Sequence, residues 1–307
     1  MDNLLSSILE AAFVFAIIRV GIPLLFASMS AYVASLSGIT NIAVEGIMIF
    51  GALFGVYFSA ITGSAWLGLL GVIAIGAICA LVLAFFTMKM KANAAMVGIA
   101  LNLFASDISV WLLLIWTGGK GTSATLPSKV LPVIHIPIIK DIPILGEIIS
   151  GHYFLTYVCI ALAIFIYILV YKTPFGTHMR ACGLDAHAAE SVGIKVNRVR
   201  LISVILSGAL AALGGAYLSM GLLPIFSSNM TASRGWIGIA ANAVGQGNFG
   251  IVVLTTIVFA IAQAIVNHLA LTNLPSELIN TIPYICVLIG LIALSVQKYL
   301  KNRDQSA

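Results

Sequence analysis

Charge is scarce in this chain. Asp, Glu, Lys and Arg make up 8% of its 307 residues, whereas 61% are hydrophobic. Soluble domains carry about 25% charged residues, and surface-to-volume scaling leaves much of any chain exposed. A water-soluble fold is therefore excluded, and a mean hydropathy of +1.12 points to lipid as the solvent. Alternating strands of about 10 residues, the mark of a membrane barrel, are also missing. Catalytic and cofactor motifs are absent as well: HExxH, GxSxG and the phosphate loop GxxxxGK[ST] do not occur. The cysteines, Cys79, Cys159, Cys182 and Cys286, stand singly with no CxxC pair, and read as small buried hydrophobes. The chain thus offers no metal site, no cofactor site and no means of hydrolysing ATP. Nucleic-acid binding needs a basic, solvated face. Here the net charge of +5 comes from Lys and Arg gathered at the ends of apolar runs. A cleavable signal needs a basic start. Asp2 and Glu10 precede the first basic residue, Arg19, so the first apolar run is expected to remain as a span.

What is present is a series of apolar runs of helix length. They cover approximately 11–36, 41–60, 65–88, 94–116, 152–171, 200–222, 249–270 and 278–297. Each is near the ~20 residues that cross a bilayer as a helix. The stretch 236–247 is too short for ~30 Å of hydrocarbon and reads as a half-helix or a short pass lined by protein. Basic residues favour the cytoplasmic side. With Lys298, Lys301 and Arg303 inside, Lys89, Lys91, Lys172, Arg180, Lys195, Arg198 and Arg200 fall on the same side only if 236–247 counts as a crossing. The expected fold is an all-α, polytopic helical membrane bundle of about 8–10 transmembrane segments. It forms one domain over 1–307, with an external N-terminus and a cytoplasmic C-terminus.

Two kinds of connector stand out. Segment 117–151 holds Pro127, Pro132, Pro137 and Pro143 after Gly118, Gly119 and Gly121. Prolines at this density oppose a spanning helix, so an ordered external loop is expected, either a connector or a docking surface. Gly245–Gly250 matches GxGxxG but lacks the strand that a dinucleotide site requires. It reads as a tight turn between the short helix and the next span. Small residues let helices approach closely in lipid. Gly51 and Gly55, and the run from Ser207 to Ala216, predict a tight bundle.

Ionisable residues within apolar runs are few: Arg19, Glu45, Asp107 and Arg234. Such groups are costly in lipid and face the bundle interior or a polar path. They either pair with one another or line the route of a substrate. Asn41, Asn102, Asn242, Gln246 and Asn267 add uncharged polarity suited to a neutral polar solute.

Segment 172–200 is the most informative. Pro174 and Gly176 break the preceding span, Asp185 is a good N-cap, and Gly193 ends the short run that follows. The product is a short amphipathic helix bracketed by Gly183 and Gly193. It is placed to receive force from a soluble partner or, alternatively, to lie on the lipid surface.

Four stretches carry a family resemblance: Ser37–Gly46 (SGITNIAVEG), Thr173–Gly176 with Arg180–Gly183, Ala188–Ile194, and Ser207–Ala216 with Met230–Trp236. Over roughly 20–298 the chain resembles ABC importer permeases of the ribose/branched-chain amino-acid type, and within them the nucleoside-importer branch. Gly245–Asn248 departs from relatives that often carry a basic residue and a Trp there. The resemblance implies a non-catalytic permease of a bacterial cell membrane, working by alternating access. Its partners would be a cytoplasmic ATPase that binds ATP and magnesium, a second permease similar to but distinct from this chain, and an extracytoplasmic substrate-binding lipoprotein. The coupling residues would be Gly183, Asp185, Ala188, Ala189, Glu190 and Gly193, and the substrate path would draw on Asn41, Glu45, Asn102, Arg234 and Asn242. A simple sugar or a branched-chain amino acid is the alternative cargo. A membrane enzyme or scaffold is the alternative class.

Overall fold

A computed structural model describes residues 11–119, 121–135, 148, 150–269, 285, 288, 290 and 292. Ten helices carry the described fold: α1 (Ala11–Leu36), α2 (Val44–Thr62), α3 (Ala65–Ala84), α4 (Ala94–Thr117), α5 (Phe154–Lys172), α6 (Pro174–Leu184), α7 (Ala186–Ser191), α8 (Val196–Tyr217), α9 (Arg234–Gly245) and α10 (Phe249–Leu269). A π-helical turn extends α3 over Phe85–Lys89, and another extends α8 over Leu218–Leu222. Two short strands, β1 (Val133–Ile134) and β2 (His152–Tyr153), pair antiparallel. Seven helices, counting the π extensions, are long and apolar enough to cross a membrane. They match seven of the eight apolar runs. The run 278–297, the C-terminal basic residues and Cys286 lie outside the described residues.

Local chemistry sets the ends of the helices. The Asn93 side chain accepts the amides of Ala95 and Met96 at the start of α4, and Gly118 closes it in the left-handed region. Gly63 closes α2 in the same way. The span expected over 152–171 begins as a helix only at Phe154, because His152 and Tyr153 are drawn into the β1–β2 pair.

Ring contacts and close approaches assign the helix ends to two sides. Phe13 at the start of α1 meets His268 at the end of α10, and Phe15 stacks on His152. Trp66 at the start of α3 meets Phe154 at the start of α5. These ends share one side. On the other, the end of α1 abuts the end of α6, and the Tyr171 hydroxyl at the end of α5 accepts the Phe249 amide at the start of α10. The second side is called here the α7 side.

The chain leaves α8 on the side away from α7. There Met220 accepts the Leu131 amide, and Phe226 and Ser123 exchange backbone and side-chain bonds. The chain then runs back into the bundle, forms α9, and emerges at the Gln246–Asn248 turn on the α7 side. Tyr32 donates to the Gly247 carbonyl in that turn. The short stretch therefore does cross, half as irregular chain and half as a 12-residue helix. Irregular backbone is tolerated within a membrane where protein covers it. Segment 121–131 supplies part of that cover, and residues 136–147 of the same loop lie outside the described residues.

Helix α8 is the centre of the bundle, packed against α1, α2 and α3. The small-residue run explains why this is possible. A Cβ on Gly51 would collide with the Ala212 backbone, and one on Gly208 with the Gly76 carbonyl. Side chains on the outer faces of α3, α4 and α10, among them Leu70, Ile78, Leu103 and Leu254, remain exposed to the surroundings that the bundle occupies. Gly51→Val is expected to force α2 off α8 at a cost of about 1–3 kcal/mol. In detergent it should lower the unfolding midpoint of the purified chain, whereas Leu254→Val should leave that midpoint in place.

Candidate functional site

The Ser37–Ala43 segment between α1 and α2 is not helical, so its amides need partners. Sequence placed Asn41 and Asn102 here as path residues, and the structure gives both a backbone role. The Asn41 carboxamide accepts the Ala43 amide at 3.0 Å and donates to Ser207 on α8 at 2.9 Å. Ser207 in turn lies 3.0 Å from the Ser30 hydroxyl on α1. Asn102 on α4 accepts the Gly46 amide at 2.7 Å and donates to the Ile42 carbonyl at 2.9 Å. Asn41, Asn102, Ser30 and Ser207 are all buried.

Glu45 lies one residue into α2 and is also buried. Its carboxylate closes the N-terminus of α9. Oε1 accepts the Thr231 hydroxyl at 2.6 Å and the Ser233 amide at 3.1 Å, and Oε2 accepts the Gly235 amide at 2.7 Å. A helix N-terminus carries a partial positive charge and unpaired amides, so a carboxylate is its natural counterpart. Gly235 is required for the approach, because a Cβ there would meet the Glu45 backbone and carboxylate at 2.6–2.7 Å. The turn leading into α9 is strained: Ala232 and Ser233 adopt left-handed backbone with φ of +44° and +62°. Such conformations cost non-glycine residues roughly 1–2 kcal/mol each, and the Glu45 bonds hold the turn against that cost.

Arg234 is half-buried at the same helix terminus. Its Nη1 folds back to the carbonyls of Met230 and Thr231 at 2.9 and 3.1 Å, while its buried Nε has no partner among the described residues. Asn242, two turns further along α9, accepts the Ser35 hydroxyl at 3.3 Å. The structure therefore gathers Asn41, Glu45, Asn102 and Arg234 around one junction of α2, α4, α8 and α9. It sets Asn242 apart, toward the α7 side. Among the described residues no ion pair joins Arg19, Glu45, Asp107 and Arg234. Arg19 instead lies over the rings of Phe15 and Tyr153. Nearby, burial pulls the His152 imidazole below its usual pKa range. The Ile148 carbonyl, 2.8 Å from Nε2, opposes that shift and Arg19 reinforces it.

The 172–200 segment folds into two helices where sequence marked one. Thr173 caps α6 through the Gly176 amide, and Pro174 occupies the first turn, where its missing N–H costs nothing. Asp185 then caps α7 by accepting the His187 and Ala188 amides at 2.9 and 3.1 Å. Gly193 takes φ +85° to turn the chain into α8. Asp185, Ala188, Glu190 and Gly193 are exposed, whereas Ala189 is buried against the bundle. Leu184 and Val192, at the two ends of α7, are 89% and 75% exposed. Gly183 permits the end of α6 to touch α1, since a Cβ would collide with the Leu36 carbonyl.

Sequence reading did not single out Arg200. Its Nε donates to the Ser37 carbonyl at 3.0 Å and its Nη2 to the Cys182 carbonyl at 3.4 Å. It ties α6, α8 and the start of the non-helical segment together. No local pattern separates it from its basic neighbours Lys195 and Arg198, because its partners lie 18 and 163 residues away. Burial pushes the Cys182 thiol pKa up, in keeping with a packed rather than reactive thiol. Cys79, Cys159 and Cys182 are all free and buried.

Residues 13–293 match the family described as branched-chain amino acid transport system, permease component. The chain belongs to this permease family. Among curated relatives, the permease is 32% identical over 252 residues to the guanosine ABC transporter permease protein NupQ of Bacillus subtilis, covering 80% of this chain and 76% of that protein. It is 29% identical over 280 residues to the nucleoside ABC transporter permease protein NupC of Lactococcus lactis, covering 88% and 87%. Of solved structures, PsaBC from Streptococcus pneumoniae in complex with Fab shares the fold, with a TM-score of 0.57 at 14% identity over 98% of this chain and 99% of that one.

In the permease, the junction around Glu45 makes a separable prediction. Glu45→Gln sets an amide donor against backbone donors, and Asn102→Leu strands the Gly46 amide and the Ile42 carbonyl. Each is expected to cost about 1–3 kcal/mol. Thermal unfolding in detergent should show both losses. Asn242→Ala, which removes one long and partly solvated bond, should leave the midpoint unchanged.

Proposed function

We propose that this permease carries nucleosides across a bacterial cell membrane as one half of an ATP-driven importer. The observation that carries the energetic part of the reading is the build of α7. It is a capped helix presented on one side of the bundle, with exposed apolar side chains at both ends and a rigid attachment through Gly183 and Arg200. The chain's motifs include none for ATP hydrolysis, so the driving force comes from a separate ATPase. Leu184, His187, Ala188 and Val192 form the surface for that partner, and the α7 side is cytoplasmic. This orientation puts the start of α1 and the β1–β2 pair outside, where a substrate-binding lipoprotein delivers the solute.

The coupling route follows covalent and hydrogen-bonded links. Movement of α7 is passed by α6 and Arg200 to Ser37, along the non-helical segment to Asn41 and Glu45, and from Glu45 to α9. Alternating access then needs α9 and the segment before α2 to shift together relative to α8. The path itself lies between this permease and a second, similar but distinct one, and each half-path is completed by the other subunit.

The choice of cargo rests on the guanosine and nucleoside permeases among the relatives and on the character of the interior. Amide and hydroxyl groups dominate it, and the buried carboxylate of Glu45 is already balanced by the end of α9. An interior of this kind suits a neutral solute with many hydrogen-bonding groups.

Cells expressing the complete importer should accumulate radiolabelled guanosine or another nucleoside saturably, and excess ribose or leucine should not compete. Accumulation of ribose or leucine in place of nucleosides would overturn the choice of cargo. For coupling, Gly193→Pro and Ala189→Trp are expected to lower uptake at least about tenfold, an effect on the order of 1.4 kcal/mol. Stimulation of the ATPase by loaded binding protein should disappear with it. Persistence of that stimulation in both variants would refute the role given to α7.

A further inference from the structure

Asp107 is the one intramembrane carboxylate that the bundle leaves unsatisfied among the described residues. It sits 13 residues past Ala94, the first residue of α4, near the middle of a 24-residue span. At 1.5 Å per residue it lies about 20 Å from the start of a helix of roughly 36 Å. Its side chain is exposed, and neither a hydrogen bond nor an ion pair reaches it from the described residues. A charged group at that depth is too costly to face hydrocarbon. The outward face of α4 at this level therefore does not face lipid.

The neighbours of Asp107 on that face narrow what it meets. Phe104 lies three residues before it and Trp111 four residues after, so the three form one stripe along the helix. Phe104 and Trp111 are 56% and 55% exposed. Phe104 is anchored from behind by an edge-on contact with Phe50 of α2, with ring centroids 6.1 Å apart. Two exposed aromatic faces bracket a carboxylate. Aromatic faces stack on planar heterocycles, and a carboxylate accepts from hydroxyl and amino groups. A nucleoside presents both, a planar base and a ribose rich in hydroxyls. A lipid chain presents neither, and a simple sugar lacks the base.

We propose that the Phe104–Asp107–Trp111 stripe of α4 lines the translocation path and contacts the passing nucleoside, with Asp107 accepting hydrogen bonds from its hydroxyl or amino groups and the aromatic pair stacking on its base. Asp107 thereby sets specificity for donor-bearing heterocyclic solutes. The inference rests on the nucleoside reading above, and it explains why α4, packed mainly on α2, carries a charge on its free face. Asn102, on the opposite face of α4, is the group that holds the helix in place.

The test uses the complete importer in membrane vesicles. With cysteine introduced by Asp107→Cys, a membrane-impermeant, charged methanethiosulfonate reagent is expected to react, over the background set by the unaltered chain and its four native cysteines. Guanosine should slow that reaction about tenfold, equivalent to about 1.4 kcal/mol. Asp107→Asn, which keeps the shape, should reduce guanosine uptake by a similar factor with no change in the unfolding midpoint. Asp107→Leu should reduce it further. Trp111→Ala should raise the KM for guanosine. Failure of the reagent to react at position 107 would mean that the stripe is covered by lipid or by the second permease, and would overturn the proposal. Reaction without protection by guanosine, or full uptake by Asp107→Asn, would equally overturn the contact with solute. If the unaltered importer takes up no nucleoside, the choice of cargo fails instead, and accessibility at position 107 still decides whether the stripe lines the path.

Discussion

The arrangement of this permease hangs on the carboxylate of Glu45 at the end of α9. A 12-residue helix cannot cross a bilayer, so one of its ends must lie within the protein. That buried end exposes amides and a partial positive charge, and the turn that leads directly into it holds Ala232 and Ser233 in left-handed backbone. Three hydrogen bonds from one carboxylate meet both demands. Charge-assisted bonds of this kind contribute about 1.5–3 kcal/mol each, which exceeds the cost of the strained turn. Without them, the crossing between α8 and α10 would have no fixed path.

The same bonds place Glu45 in two structural roles. It belongs to the first turn of α2, and α2 follows the non-helical Ser37–Ala43 segment. Asn41 ties that segment to Ser207 of α8, Asn102 satisfies its end from α4, and Arg200 grips its start. A displacement at the α7 side therefore has a continuous route to α9 that does not run through lipid-facing helices. Packed interiors are bistable rather than continuously deformable, so a tightly bonded strip of this kind moves as a unit or not at all. Asn41, Glu45 and Asn102, expected from their polarity to line a substrate path, also make the bonds that hold this strip together. Among the described residues, the intramembrane carboxylate that these bonds leave without a partner is Asp107, on the free face of α4.

Much of this architecture was legible beforehand because its causes are local. Spans announce themselves through hydropathy, the α7 helix through Asp185 and Gly193, and the tight bundle through the small-residue run. Positive charges at run ends implied that the short stretch crosses, and the chain path from Met220 to Gly247 follows that course. The second helix in the 172–200 segment was hidden because Pro174 and Gly176 signal a break. A proline in the first turn starts a helix as readily as it stops one, and only the Thr173 cap decides between the two. The β1–β2 pair was hidden for a similar reason, since strands of two residues leave no periodicity.

By itself the sequence determined the solvent, the helical class, the run lengths and the capped helix at the α7 side, because each follows from composition or from residues within a few positions of one another. Tertiary structure decided which polar groups are free. Glu45 and Asp107 are alike in sequence, single carboxylates in apolar runs. One meets a helix end 190 residues away and is neutralised there, and the other meets no partner among the described residues. Hydrogen-bond partners that distant leave no trace in local pattern, so only the folded bundle separates the carboxylate that closes a helix end from the one left on a free helix face.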